Sequence, residues 1–302
     1  MTTASIVTYN TKRSDLDKIL ASALADGVDT LYVVDHSPEE TASDIEAMLP
    51  ADPRIVYERH PNRGYGAGHN IAIRKAIEAG ADYHAVLNPD VYWEGRVIER
   101  LAEYMENHPD VGQMLPKVLY PDGTLQYTCK LIPTPYDLIA SRFLPDALKR
   151  RRMARFRLES TGYRHIMNVP YMHGCFMMLR VAALRDVGLF DERFFMYPED
   201  IDLTRRIHER WKTLFYPPLT IYHAHARESR VSSRMLRIHV VNMIRYFNKW
   251  GWLFDTRRRR YNRILEAEIA HDGFGGLPSS AHGQDDGGRT GDDVTSGEDT
   301  RS

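Results

Sequence analysis

Cysteine is almost absent from this 302-residue chain: Cys129 and Cys175 are the two present, far apart and without metal-ligand spacing. That argues against a disulfide framework and fits a reducing compartment. Long hydrophobic runs are missing too. No stretch of about 18 apolar residues occurs, so nothing is predicted to span a bilayer. No secretory signal precedes the first strand-like run, Ala4–Thr8. An excess of one charge is also lacking, since the net charge is −1. With no base-reading motif either, the composition argues against a nucleic-acid partner. These absences predict a cytoplasmic protein, with a membrane-surface contact left open.

The near-neutral total hides an asymmetry. Residues 271–302 hold seven acids against two arginines, which leaves residues 1–270 at about +4. The tail is rich in Gly, Ser, Thr and Asp, and it has too little apolar surface to offset its ordering entropy. It is predicted to be disordered. The remainder is long enough for one large domain or two small ones.

The first half alternates two signals. Strand-like runs at 5–8, 31–34, 54–57, 83–87 and 111–115 are separated by helical periodicity at 14–25, 41–49, 69–79 and 94–107. This spacing predicts an α/β fold, a Rossmann-like and mostly parallel sheet with helices on both faces. Ligands bind beyond the carboxyl ends of such strands. Thr8-Tyr9-Asn10, Asp35-His36-Ser37 and Asn88-Pro89-Asp90 all fall at that edge. Further on, Pro121-Asp122-Gly123 predicts a β-hairpin joining 117–120 to 124–128. Residues 133–166 read as irregular and basic, 171–179 as one buried strand, and 214–216 and 219–222 as two short strands. Residues 232–250 read as an amphipathic helix.

Two acidic elements suggest chemistry. Glu199, Asp200 and Asp202 open a helix-like segment after Pro198, where the positive end of the helix dipole favours carboxylates. Asp90 ends the other element. Together they suggest a cleft for a metal-bound phosphate and a proton acceptor, although a capped surface helix is the plainer alternative for residues 199–202. Arg63-Gly64-Tyr65-Gly66-Ala67-Gly68 opens a helix, where glycines let a backbone approach a phosphate closely. Its G-x-G-x-G spacing in the third βα unit is not the dinucleotide fingerprint, which disfavours NAD.

Six motifs occur in one order: Ser5–Asn10, Val33–Asp35, Asn62–Gly64 with Asn70, Leu87–Asp90, Gly174–Arg180, and Gly188–Glu192 leading into Glu199–Leu203. Together, over about residues 4–250, they resemble a family 2 glycosyltransferase of GT-A fold, in particular its bacterial rhamnosyltransferase-like branch. The resemblance implies inverting transfer from a nucleotide-diphosphate sugar, a dTDP- or UDP-sugar, to a glycan or lipid-linked acceptor in polysaccharide synthesis. It implies nucleotide-sugar binding by Thr8, Tyr9, Asn10, Asp35, Arg63, Gly64, Asn70, Asn88 and Asp90. Asp90 matches the last residue of the family's D-x-D metal motif, and Asn88 replaces the first acid. His223 matches a position that completes metal or diphosphate binding, and the cofactor implied is Mg2+ or Mn2+. Asp200 matches the base, with Glu199 its rival. Asp202 lies two residues on and faces away along a helix.

The resulting division is a catalytic domain over 1–230, an amphipathic and basic helical extension over 231–270, and the acidic tail. Lys149–Arg152 with Arg155 and Arg157, and the 232–250 helix with Trp250, Trp252 and Arg257–Arg260, are candidates for contact with the cytoplasmic face of an inner membrane. A solvated basic face is the alternative for both. A sugar nucleotidyltransferase and a non-catalytic membrane-recruited module remain the rival functions.

Overall fold

The predicted alternation of apolar runs and amphipathic segments appears as parallel strands joined by crossover helices. A computed structural model describes residues 1–138, 145–224 and 233–271. The tail beyond 271, predicted to be disordered, lies outside the described residues. Strands β1 (Thr2–Thr8), β2 (Thr30–Asp35), β3 (Ile55–Arg59) and β4 (Tyr83–Leu87) stand in the order β3-β2-β1-β4, all parallel. Helices α1 (Arg13–Ala25), α2 (Glu39–Met48) and α3 (Tyr65–Glu78) make the crossovers.

The second half completes a mixed sheet. It supplies β5 (Val91–Tyr92), α4 (Val97–Asn107), β6 (Val111–Leu119) and β7 (Cys129–Lys130). Then come α5 (Pro135–Leu138), α6 (Asp146–Phe156), β8 (Met167–Asn168), β9 (Tyr171–Met172) and β10 (Phe176–Arg180). Helices α7 (Val181–Val187) and α8 (Glu199–His208) lead to β11 (Lys212–His223). Strand β10 enters antiparallel between β4 and β6, β11 runs parallel to β6, and β5 closes the edge. Alternation along the strands covers both faces. Ala4, Ile6, Leu31 and Val33 pack with α1 and α4, whereas Tyr32, Val34 and Val86 turn toward α3 and α7.

Several expectations are corrected. The turn at Pro121–Gly123 forms, with Tyr120 N donating to Thr124 O at 2.8 Å, yet the hairpin reduces to one bridge between Leu119 and Leu125. Its second arm leaves because β7 pairs with β9 in a separate two-stranded sheet. The basic stretch read as irregular contains α5 and α6. The two short strands near 214–222 are one strand. Pro217 and Pro218 interrupt its ladder to β6, where the register shifts between Tyr216 and Thr220. The buried run 171–179 is two strands, broken at His173-Gly174-Cys175.

Two helices, α9 (Ser233–Trp250) and α10 (Thr256–Ala270), pack onto α8. Among the described residues no helix is long and apolar enough to cross a membrane. Met243, Tyr246, Phe247 and Leu265 enter the main core. Charges join the same elements. Arg205, 1% exposed, pairs with Asp255 at 2.7 Å and stacks over Trp250 at 3.9 Å. Asp202 faces away from Asp200, accepts from Trp250 Nε1 at 2.8 Å and pairs with Arg206 and Lys249. Trp250 is therefore turned inward, not toward a membrane. Removing one partner of a buried pair leaves an uncompensated charge, so Asp255→Ala is expected to cost about 3–5 kcal/mol, read from the denaturant midpoint. A change within about 0.5 kcal/mol, typical of surface positions, would contradict this account of the pair.

Candidate active site

The carboxyl ends of β1, β2 and β4 bring their polar turns to one edge. Asp35, fully buried, organises the first two: its Oδ1 accepts from Thr8 Oγ1 at 2.7 Å, Ser37 Oγ at 2.6 Å and Ser37 N at 3.0 Å. Its Oδ2 accepts from the Tyr57 hydroxyl at 3.2 Å. Asn10 takes a left-handed backbone at φ 51°, which Asn tolerates better than most residues. Its N–H donates to Ser37 Oγ at 2.9 Å and its Oδ1 accepts from Thr41 at 2.6 Å.

Two adjoining cavities open beside these turns. One, of about 560 Å³, is lined by Tyr9, Ser37, Arg59, Asn62 and Phe195. The other, of about 330 Å³, is lined by Arg63, Ala67, Arg74 and Glu192. They share His36, His60 and Pro61. His36 is 4% exposed, and its Nε2 has no hydrogen-bond partner among the described residues. Burial, then His60, lowers its pKa, so the ring is neutral and offers an unsatisfied nitrogen at a cavity wall.

Two expected ligand residues serve the chain itself. Gly64, at φ 105°, is needed because a Cβ there would lie 2.1 Å from the Phe195 carbonyl oxygen. The space beside Gly66 and Gly68 is likewise taken, by Phe190 and by Val7 and His36. The glycine-rich turn is a packing seam rather than an open phosphate cradle. Asn70 donates both amide hydrogens, to Phe190 O and Glu192 Oε1, and accepts from Phe190 N. It clips the 190–192 loop to α3, and a diphosphate contact would require breaking those bonds.

The two acids lie on either side of the break between β9 and β10. Asn88 N donates to Cys175 O at 2.9 Å, Gly174 N donates to Asp200 Oδ2 at 3.0 Å, and the Tyr65 hydroxyl donates to Gly174 O at 2.7 Å. Gly174 is obligatory here, because a Cβ would sit 2.9 Å from Asp200 Cβ. Burial first, then Glu199, Cys175, Asp200 and Asp90, hold the Tyr65 hydroxyl well above its usual pKa. One hydroxyl thus feels both acidic elements.

Environment separates the neighbouring carboxyls. Burial raises Asp200, while the N–H of Ile201, the Lys130 ammonium and the N–H of Gly174 favour its charged form. Glu199 is driven well above its usual value by burial and then by the Asp200 charge, and its Oε2 has no partner among the described residues. The pair therefore ionises at Asp200 first and keeps Glu199 protonated.

On the far side, Asp90 Oδ1 lies 3.2 Å from His223 Nε2, and Asn88 Nδ2 lies 3.5 Å from the same nitrogen. Gln126 Oε1 meets His223 Nδ1 at 3.0 Å and fixes the ring. Burial opposes charge on His223, but Cys175 and the Asp90 carboxylate outweigh it and raise its pKa to about 10. Among the described residues no three His, Cys, Asp or Glu side chains cluster as a closed metal site. The Asp90 carboxylate, joined by the His223 imidazole once that ring gives up its proton, fits a cation that takes its other ligands from a diphosphate. A third cavity, of about 500 Å³, adjoins this pair and is lined by Gln126, Thr128, Lys130, Arg157, His173 and His223. Lys130 and His173 escape sequence reasoning; His36 and Tyr65 lie within the turns it named but carried no role of their own, and Gly174 was visible as the first residue of the Gly174–Arg180 motif.

The profile described as Glycosyl transferase family 2 matches residues 3–188. The chain is 27% identical over 199 residues to the N-acetylglucosaminyl-diphospho-decaprenol L-rhamnosyltransferase of Mycobacterium tuberculosis, covering 59% of this chain and 64% of that protein. It therefore spans less than two thirds of that relative. It is 28% identical over 210 residues to the rhamnosyltransferase WbbL of Escherichia coli K12, covering 67% of this chain and 75% of the other. Among solved structures, GalNAc-T7 with UDP, GalNAc and Mn2+ superposes with a TM-score of 0.59 at 15% identity, over 90% of this chain and 54% of that one. The mannosyltransferase PcManGT of Pyrobaculum calidifontis, in complex with GDP-Man and Mn2+, gives 0.52 at 16% identity, over 90% and 75%. These likenesses show the GT-A fold.

Proposed function

The chain belongs to glycosyl transferase family 2, and from that premise we propose that it transfers a sugar, with inversion, from a nucleotide-diphosphate sugar to an acceptor hydroxyl. The relatives' names favour rhamnose as the sugar and a lipid-linked or oligosaccharide acceptor in cell-surface polysaccharide synthesis. A dTDP- or UDP-sugar is the donor in this reading. The reaction takes place in the cytoplasm, at the inner face of the membrane that would carry such an acceptor. Residues 1–230 form the catalytic unit and 231–270 its helical extension.

The observation that carries the proposal is the shared turn at 173–175, with Asp90 on one side and Asp200 on the other. In a single displacement the acceptor oxygen forms its bond to the anomeric carbon as the bond from that carbon to the diphosphate breaks. The acceptor proton passes to Asp200, and the nucleoside diphosphate leaves with the bonding electrons. Asp200 suits the role because it is the charged member of its pair, and the hydroxyl becomes acidic only as the new bond forms. Glu199 stays protonated and limits repulsion. Asp90 and His223 would hold Mg2+ or Mn2+, which supplies positive charge to the departing diphosphate. Tyr9, Asn10, Ser37 and His36 border the nucleotide side, with Arg63 at its edge. The 500 Å³ cavity beside Lys130 and His173 is the place for the acceptor.

Asp200→Asn keeps the shape but not the basicity. It is expected to lower transfer by about 10²–10⁴-fold, while nucleoside diphosphate affinity, read by calorimetry, stays within a few-fold. Full turnover by this variant would rule out Asp200 as the base. Released nucleoside diphosphate, rather than pyrophosphate, separates the reaction from nucleotidyl transfer.

The pH profile gives a second readout. Because Asp200 is raised by burial, activity should fall on an acidic limb above the usual Asp value of about 3.9. Lys130 favours the charged carboxylate, so Lys130→Met should move that limb to higher pH. A limb that stays put, or moves down, would contradict the assigned pairing.

A further inference from the structure

The loop between α9 and α10 leaves large apolar side chains in solvent. Phe254 is 87% exposed, Leu253 67% and Trp252 39%. The exposure runs back along α9 from Asn248, whose Oδ1 accepts from Trp252 Nε1 at 2.8 Å, through Ile244 to Val241, one turn apart. Single exposed apolar residues need no explanation, but a stripe ending in three consecutive ones does.

A cationic surface adjoins it. Arg257 pairs with Glu209, and Arg258 faces Asp255. Among the described residues no carboxylate pairs with the exposed Arg259, Arg260 or Arg263. Arg259 and Arg263 line a cavity of about 380 Å³ between α6 and α10, across from Arg152 and Arg155. Asp137 and Glu266 pair with those last two, so the lining stays positive.

We propose that the Trp252–Phe254 tip and the arginines of α10 form a docking face for an anionic phospholipid bilayer. The tip enters the boundary between headgroups and acyl chains, and the arginines meet lipid phosphates. Charge complementarity together with the apolar tip selects this occupant, since the acidic tail, poor in apolar residues, would match only the arginines. Two copies of the chain meeting through the same face would bring like charges together. The face is also continuous with the cleft. Leu131, Ile132 and Phe156 wall the arginine cavity, while the adjacent Lys130 and Arg157 line the cavity beside His223. Docking would therefore set that cavity close to the lipid surface. This last clause rests on the glycosyltransferase reading; the docking does not.

Sedimentation of the full chain with phosphatidylcholine vesicles, with and without phosphatidylglycerol, tests the proposal with no sugar donor present. Binding should require phosphatidylglycerol and weaken in high salt. The double variant L253S/F254S should bind at least about tenfold more weakly. The triple variant R259Q/R260Q/R263Q should lose about fivefold per arginine. Unchanged circular dichroism and melting would establish that both variants fold, as expected for exposed positions. Absence of binding to anionic vesicles, or variants that bind like the parent, would overturn the proposal. So would self-association on size exclusion that depends on Phe254 and occurs without vesicle binding, which would make a second copy the occupant.

Discussion

The tripeptide His173-Gly174-Cys175 is the constraint on which the rest of the cleft depends. A strand that continued from Tyr171 to Arg180 would commit these backbone groups to a ladder. Instead Gly174 N–H holds Asp200, Gly174 C=O holds Tyr65 and Cys175 C=O holds the turn that carries Asp90. Only a glycine at 174 leaves room for the Asp200 side chain. Sequence positions separated by more than a hundred residues are thereby fixed against one short segment. Three bonds from this segment's backbone do this.

Burial then assigns the roles. Glu199 and Asp200 are adjacent in sequence, yet Asp200 alone has two N–H donors and an ammonium nearby, whereas Glu199 has an oxygen without a partner among the described residues. A buried site stabilises one charge far better than two. The same physics ties His223 to Asp90, where a neighbouring carboxylate compensates for burial of the ring.

The first half of the fold was legible because its strands and helices differ in hydrophobic period, and no distant partner overrides them. The existence and parallel setting of β1 to β4, and the edge carrying Thr8, Asp35 and Asp90, follow from that period, whereas their order in the sheet does not. The second half was less legible. The break at 173–175 arises from partners at Asn88, Thr128 and Asp200, none of them local. Pro217 and Pro218 read as a gap, although the strand resumes beyond them. The glycines at 64–68 were legible as close approach, but not as approach by Phe190 and Phe195 rather than by a ligand. Lys130 carries no motif, and His36 sits in the Asp35–Ser37 turn without a role of its own; both acquire meaning from what surrounds them after folding.

Helix α8 presents Asp200 to the cleft, while its opposite side, through Asp202 and Arg205, is bound to Trp250, Lys249 and Asp255. The family profile ends at residue 188, short of this helix. Grafting between related enzymes would therefore have to respect a seam that the profile does not mark. A chimera joined at its boundary would take Asp200 and its anchor in α9 and α10 from one parent and Gly174, which holds that carboxylate, from the other, so the three helices travel as one module that must still match the turn at 173–175.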